Sequence, residues 1–195
     1  MGYSIKFTDK NRRKAEKLLL EITTLLEKNN IEYCLEGGTL LGIYRENRLL
    51  PWDNDVDLSI LNSELINISP FLEDLQLNNY RVKYRHFEQD KLIFNKGDLR
   101  IIKIRKKRFW GIFKDNICLE IFVKYSNDTS VYWDVAGKTM ACPKIFYNKL
   151  TKINFLGKNY SIPLKCDEYL THKYGDWKIP VKDWNAEKDE KSQYY

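Results

Sequence analysis

Apolar positions recur along this chain with two different periods, and the switches between them predict its elements. Over residues 10–29, Ala15, Leu18, Leu19, Ile22, Leu25 and Leu26 fall three and four apart, the spacing of one buried helix face. Thr8 or Asp9 can cap the start of that helix, and Asn29-Asn30 marks its end. Residues 31–36 read as a short strand and residues 39–46 as a short helix, with the turn Gly37-Gly38-Thr39 between them. In residues 55–60 Val56, Leu58 and Ile60 alternate with Asp55, Asp57 and Ser59, the period of a strand with one apolar face. Residues 63–75 read as a second helix, capped by Asn62 or Ser63. Residues 80–85, 92–94 and 99–104 read as strands of a meander, and residues 117–123 as a strongly apolar strand. A hairpin is expected within residues 144–162 around Gly157, and a helix over residues 166–173 closed by Gly175. Beyond Val181 the chain is polar and charged, and a frayed tail is expected.

Chemistry concentrates between Gly37 and Asp57. Side chains alternate faces on a strand, so Asp55 and Asp57 point the same way, with Asp53 joining them if the strand starts that early. Carboxylates crowded on one face raise one another's pKa, and a hard divalent cation, Mg²⁺ above all, relieves the repulsion. The Gly-Gly-Thr turn lets backbone N–H groups approach a phosphate at the start of a helix. Together these features point to metal-assisted phosphoryl or nucleotidyl transfer. Taken singly they have plainer readings: Asp-x-Asp and Gly-Gly are both common in turns. A Ca²⁺ loop of the EF-hand type would need a central Gly and a distal Glu that this spacing lacks. The tandem decides for chemistry.

Three further residues have two readings each. Glu36 reads as structural rather than catalytic. Arg45, near the end of the short helix, can grip a phosphate bidentately or pair with Glu46 or the acidic knot. Glu120 is costly to bury alone in its apolar strand; it is either salt-bridged to a neighbouring Lys or Arg, or the third carboxylate of the metal site.

Net charge is +6, from 33 basic and 27 acidic residues, which favours phosphorylated or polyanionic partners. Residues 100–114 hold seven basic residues and no acid, interleaved with Phe109, Trp110 and Phe113. Strand alternation explains half of that run. The remainder favours a loop that meets an anionic acceptor or makes peripheral contact with an anionic membrane; a nucleic-acid partner is not expected. Cys34, Cys118, Cys142 and Cys166 form no Cys-x-x-Cys pair, and only His86 and His172 could join them as ligands. They read as buried or incidental thiols of a reducing compartment. With no leader pattern at the opening Met-Gly-Tyr-Ser-Ile-Lys and no long apolar run, the expected location is the cytoplasm.

The run Gly37-Gly38-Thr39-Leu40-Leu41-Gly42, then Arg45, then Pro51-Trp52-Asp53-Asn54-Asp55-Val56-Asp57, resembles the signature of the LicD and fukutin-related family of the nucleotidyltransferase-fold superfamily. Tyr174-Gly175-Asp176-Trp177, preceded by a Phe-Leu-Gly and a Ser-Ile-Pro segment, resembles that family's carboxyl-terminal signature, so the resemblance runs over residues 30–180. Asn54, Arg48 and Glu120 stand where the family usually has an acid, Gly and Asp. Asn54 is expected to face away from Asp55 and Asp57. The resemblance implies an α/β (α+β) fold, a nucleotidyltransferase-like mixed β-sheet flanked by helices in a single domain over residues 1–195, with a polar tail at 182–195.

It further implies a metal-dependent phosphotransferase. Such an enzyme moves a phospho-alcohol (phosphocholine or a polyol phosphate) from a CDP-activated alcohol donor to a hydroxyl of a glycan or glycolipid acceptor, releasing CMP. In that reading Asp55, Asp57 and Glu120 are catalytic and hold Mg²⁺ or Mn²⁺, while Gly37, Gly38, Thr39, Arg45, Trp52, Asp53 and Asp176 bind substrate. A transferred choline would call for an aromatic cage, for which Tyr132, Trp133, Phe146, Tyr147 and Trp177 are candidates by residue type. The main alternative is a nucleotidyltransferase proper, acting from a nucleoside triphosphate; the paired Pro-Trp-Asp and Tyr-Gly-Asp-Trp motifs speak against it. A catalytically dead scaffold is a third reading, opposed by the retention of Asp53, Asp55 and Asp57.

Overall fold

A computed structural model describes residues 6–108, 113–135 and 137–194. Helix α1 (Asp9–Lys28) buries Ala15, Leu18, Leu19, Ile22 and Leu26 as the spacing predicts, with Thr23 alongside them. Its apolar stripe packs on a mixed sheet. Strands β1 (Cys34–Leu35), β2 (Asp55–Leu61), β3 (Tyr80–His86), β4 (Leu99–Arg108) and β6 (Cys118–Ser126) lie in the order β1-β2-β6-β4-β3. The β2–β6 pair is parallel and the others in this row are antiparallel. A short β5 (Phe113–Lys114) pairs the end of β4, and the far end of β6 carries β7 (Ser130–Val135), which pairs β8 (Lys138–Pro143). A separate hairpin of β9 (Leu150–Phe155) and β10 (Lys158–Pro163) precedes helix α4 (Cys166–Tyr174). Helix α2 (Gly37–Glu46) lies against β2, and α3 (Ile68–Leu77) against β3.

Period-two alternation gives the sheet two unlike faces. Val56, Leu58 and Ile60 of β2, Leu119, Ile121 and Val123 of β6, and Ile102 and Ile104 of β4 are all buried in one core with α1 and α3. The other face holds Asp55 and Asp57 beside Glu120 and Phe122. The same alternation that fills the core therefore delivers the charged residues together.

Several boundaries differ from the sequence expectations, each for a local reason. The strand expected over residues 31–36 pairs only at Cys34–Leu35; Ile31 and Tyr33 are buried without joining the ladder. Helix α2 starts at Gly37, not Thr39, because Glu36 is extended and its side chain accepts a hydrogen bond from Gly37 N–H. The helix expected over residues 63–75 is a 3₁₀ segment (Asn62–Asn67) followed by α3. That late start leaves Pro70 in the first turn, where a missing N–H breaks no helical bond. Residues 92–94 form no strand: Lys91 and Phe94 exchange backbone hydrogen bonds around Leu92, whose φ is +55°. Strands β4 and β6 run on past the predicted ends at residues 104 and 123. Phe109 and Trp110 lie outside the described residues.

The tail does not fray. Ala141 N–H donates to Ser192 O at 2.8 Å and Tyr194 N–H to Thr139 O at 2.9 Å, so the last residues satisfy backbone groups along β8 that would otherwise form an open edge. Glu190 and Ser192 are buried, and a short α5 (Ala186–Asp189) precedes them. The hairpin at Leu156-Gly157 and the helix ending at Gly175 are as expected.

Helix α2 packs tightly against the loop that leads to β2. It ends at Asn47 with φ +50°, and a Cβ on Gly42 would lie 2.6 Å from Arg48 O and 2.9 Å from Leu50 Cγ. Gly42→Ala is expected to destabilise the fold by about 1–3 kcal/mol, read as a lower urea midpoint with unchanged slope; an unchanged midpoint would show that this contact does not constrain the chain.

Candidate active site

The start of α2 and the acidic strand are stitched together by hydrogen bonds. Glu36 N–H donates to Asp57 O at 3.0 Å, and Asp57 N–H donates to Thr39 Oγ1 at 2.9 Å. This brings the first turn of α2 so close to the acids that a side chain on either glycine would displace a carboxylate. A Cβ on Gly37, whose φ is +55°, would overlap Asp57 Oδ2, and a Cβ on Gly38 would overlap Asp53 Oδ2. The tandem of motifs is thus one object: two glycines and two carboxylates packed against each other.

Asp53 precedes β2 and accepts from Asn54 N–H at 2.9 Å. Asp55 and Asp57 occupy the same face of β2, and Asp57 lies opposite Glu120 across the parallel β2–β6 pair. Burial pushes the Asp53 carboxyl up to about 6, against the Asn54 N–H, which lowers it. Burial, then the charges of Asp53 and Glu120, push Asp55 up to about 8. Asp57 is raised well above the usual carboxylate range by burial and then by Asp55, Asp53 and Glu120. Glu120 itself takes the salt bridge that its apolar strand requires, to Lys103 Nζ at 2.6 Å. Among the described residues, no group of three or more His, Cys, Asp or Glu side chains is arranged to hold a metal ion. Asp55 and Asp57 are the two acids that share a strand face.

Behind the acids lies a buried ionic cluster. Glu36, 2% exposed, receives Lys124 Nζ at 2.5 Å, Lys173 Nζ at 2.6 Å, Tyr169 OH at 2.8 Å and Tyr147 OH at 3.1 Å. Burial alone would raise the Glu36 carboxyl, but the two ammonium groups hold it well below the usual range. Burial would lower Lys173, but Glu190 and then Glu36 keep it well above its ordinary value. Lys124 sits 3.7 Å from the centroid of Trp133.

A cavity of about 430 Å³ opens over these groups. Gly37, Gly38, Asp53, Asp55 and Asp57 form one side. Trp52, Trp133, Tyr174, Trp177 and Trp184 form much of the other, so four of the chain's five tryptophans line one space. Asp176 lines it as well. Asn54, expected to face away, also lines the cavity, because β2 begins at Asp55 and strand alternation does not reach residue 54. Thr39 supports the site from beneath through Asp57 N–H. Arg45 borders the cavity with its guanidinium engaged by Glu46 Oε1 at 2.6 Å and by Trp177 O at 2.8 Å. The five cage candidates are not gathered. Trp133 and Trp177 line the cavity, whereas Tyr132 packs on Tyr194, Phe146 on Tyr169, and Tyr147 belongs to the Glu36 cluster.

Sequence reasoning missed Lys173, Tyr174, Trp184 and Glu190 as site residues. Lys173 left a signal: it stands four residues after Tyr169 on a predicted helix, hence on the same face. Glu190 left none, since no local pattern announces that a polar tail will return to a buried cation.

A family model described as "LicD/FKTN/FKRP, nucleotidyltransferase domain" matches residues 30–165. The chain belongs to this family. Its mixed sheet flanked by helices is therefore that of a LicD-family nucleotidyltransferase domain. Among curated proteins it is similar to ribitol-5-phosphate transferase FKTN of Macaca fascicularis, 29% identical over 179 residues, which cover 89% of this chain and 35% of that protein. The Homo sapiens FKTN is 28% identical over the same coverage. Ribitol 5-phosphate transferase FKRP of Homo sapiens is 44% identical over 46 residues, 24% of this chain and 9% of that protein. The chain thus spans about a third of the length of the FKTN relatives. Among solved structures, the antibiotic-resistance factor ANT(2'')-Ia aligns with a TM-score of 0.48 and 14% identity, over 89% of this chain and 78% of that one.

The raised carboxylates carry a pH signature. With no cation present, the native state holds protons on Asp53, Asp55 and Asp57 that the unfolded chain has already lost above about pH 4. Stability contributed by these groups therefore falls as pH rises through the window up to about 8. Asp55→Asn, which removes one of the repelling charges, is expected to be stabilised relative to wild type by an amount that grows from pH 5 to pH 8 in EDTA. Urea unfolding at the two pH values measures it, and a gain that shrinks with pH would contradict the assigned environment.

Proposed function

We propose that this chain is the catalytic domain of a metal-dependent phosphotransferase that moves a polyol phosphate from a CDP-activated donor to a hydroxyl of a glycan or glycolipid, releasing CMP. The observation that carries the reading is the packing of Asp55 and Asp57 against the Gly37-Gly38 start of α2. Crowded, buried carboxylates with raised pKa values call for a cation, and an adjacent helix N-terminus suits a phosphate. Asp55 and Asp57 would hold Mg²⁺ or Mn²⁺, which would supply neutralisation of the charge that develops on the departing CMP.

The protein's own groups account for the rest. The first turn of α2 orients the diphosphate, and the aromatic wall excludes water from the reacting centre. The acceptor oxygen forms a new bond to the phosphorus that carries the polyol, while the bond from that phosphorus to the bridging oxygen of CMP breaks. The acceptor proton passes to a carboxylate of the cluster; Asp53 and Glu120 are the two acids not assigned to the cation.

Two observations favour a polyol over choline. The longer relatives FKTN and FKRP are ribitol phosphate transferases. The aromatic faces of the cavity also already carry ammonium groups: Lys182 lies 5.9 Å from the Trp52 centroid, Lys178 5.6 Å from Trp177, and Lys124 and Lys173 lie over Trp133. A quaternary ammonium would meet like charge there, whereas polyol hydroxyls would not. Among the described residues no helix is long and apolar enough to cross a membrane.

A thermal-shift panel of CDP-ribitol, CDP-glycerol, CDP-choline and CTP, with and without Mn²⁺, tests the reading. A CDP-polyol at a hundredfold excess over its dissociation constant should stabilise the native state by about 2.7 kcal/mol in the presence of Mn²⁺. Asp57→Asn should lose that shift and lower CMP release on the order of 100-fold. Stabilisation by CTP alone, with diphosphate as product, would instead make the chain a nucleotidyltransferase.

A further inference from the structure

The polar face of the sheet changes sign as it crosses the strands. Asp57 stands opposite Glu120, Glu120 opposite Lys103, and Lys103 opposite Lys83. These four residues form one row across β2, β6, β4 and β3, about 14 Å long at the usual strand spacing. Arg81 and Arg85 lie two positions to either side of Lys83 on the same face, and Arg81 stands opposite Arg105.

Two features set this row apart from an ordinary charged surface. Like charges directly opposite one another destabilise a strand pair, yet the β3–β4 pair places Lys against Lys and Arg against Arg at two successive positions of this face. Protection of an open sheet edge accounts for cations on β3 in general; on the inner strand β4, Lys103 is paired with Glu120 at 2.6 Å and Arg105 donates to Asp115 O and Asn116 O. Moreover, Arg81, Lys83 and Arg85 are exposed and make no ion pair among the described residues. The neighbouring face of the same strands gives no reason for the arrangement, since Val82, Ile102 and Ile104 there pack into the core. The cations are therefore held together, at some cost in repulsion, with one end of their row against the acids of the candidate active site.

We propose that this face of β3 and β4 is the acceptor-binding surface, and that the acceptor is a polyanionic glycan chain whose phosphate or carboxylate groups lie along Arg81, Lys83 and Arg85 while its terminal hydroxyl reaches the Asp57–Glu120 end of the row. The inference rests on the proposed transferase activity. An anionic chain is drawn to the cations and kept off the carboxylates, so its charged backbone and its reacting end are sorted along the row. A neutral sugar chain would gain nothing from it.

The test uses oligo(glycerol phosphate) of six units as the probe, with a neutral dextran oligomer, a DNA oligomer of equal charge and vesicles containing anionic lipid as comparisons. Wild-type protein should bind the phosphate oligomer with an affinity that falls steeply with salt. The triple variant R81S/K83S/R85S should bind it at least tenfold more weakly, with the log–log salt slope reduced by about two for three lost contacts. A control variant that removes the same charge from α1, K10S/R13S/K17S, should bind as wild type does.

The Mn²⁺-dependent thermal shift with the CDP-polyol should persist in both variants, because neither touches the cavity. Equal loss in the two triple variants would reduce the effect to net charge and overturn the proposal. So would dextran binding as tightly as the phosphate oligomer, DNA binding more tightly than it, or retention on vesicles without oligomer binding. A wild-type protein that binds the oligomer but shows no shift with any CDP-alcohol would retain the surface and remove the transferase reading instead.

Discussion

One buried carboxylate ties the active site to the rest of the molecule. Glu36 caps α2 through Gly37 N–H, accepts Lys124 from β6 and Lys173 from α4, and receives the hydroxyls of Tyr147 and Tyr169. Segments far apart in sequence meet at its two oxygens. A buried ion pair gains little over an apolar contact, but removing one partner leaves an uncompensated charge at a cost of about 3–5 kcal/mol. The cluster therefore acts as a positional constraint more than a source of stability. It fixes where the helix starts, and the start of the helix fixes how the two glycines meet Asp53 and Asp57. The sequence reads Glu36 as structural rather than catalytic, and its geometry agrees, although it borders the cavity.

The acidic cluster works against folding, and the network behind it is built to tolerate that. Three carboxylates with raised pKa values store repulsion that is relieved by protonation or by a cation. Lys103 lowers Asp55 and Lys173 lowers Asp57; yet the first ammonium is held by Glu120, and the second is held by Glu36 and faces Glu190 at 3.9 Å. The protein thus compensates its structural charges within the buried cluster and leaves the carboxylates facing the cavity under-compensated. That imbalance is confined to Asp55 and Asp57 on one face of β2 and to Asp53 just before it, and the proposed cation would relieve it.

Much of this was legible in the sequence, and the parts that were not share a cause. The alternation at Val56, Leu58 and Ile60 located β2 within a residue, and the spacing from Ala15 to Leu26 located α1, because both depend on local periodicity. The pairing of Gly37-Gly38 with the acids was legible because the two motifs are joined by a short segment. What failed was long-range. No periodicity shows that residues 92–94 curl around a left-handed Leu92, that Arg45 also reaches Trp177 O, or that a charged tail will pair with β8 and place Glu190 beside Lys173. These depend on which partner the fold brings near, and polar residues carry no pattern that names a partner in advance.

That division bears on how the site is partitioned along the chain. The family match ends at residue 165 and includes every glycine and carboxylate assigned to the chemistry. Lys173, Tyr174, Asp176, Trp177, Trp184 and Glu190 lie beyond it and supply much of the wall facing the acids. The acidic floor stands on paired strands and a capped helix, where a one-residue slip would turn Asp55 and Asp57 away from the cavity. The wall is mostly loop, held by a few anchors: Arg45 on Trp177 O, Lys173 on Glu190, and Ser192 on Ala141. Substitutions between those anchors can reshape the cavity without moving the carboxylates. Under the proposed activity the sheet would fix the reaction, and the loops facing it would meet the transferred alcohol.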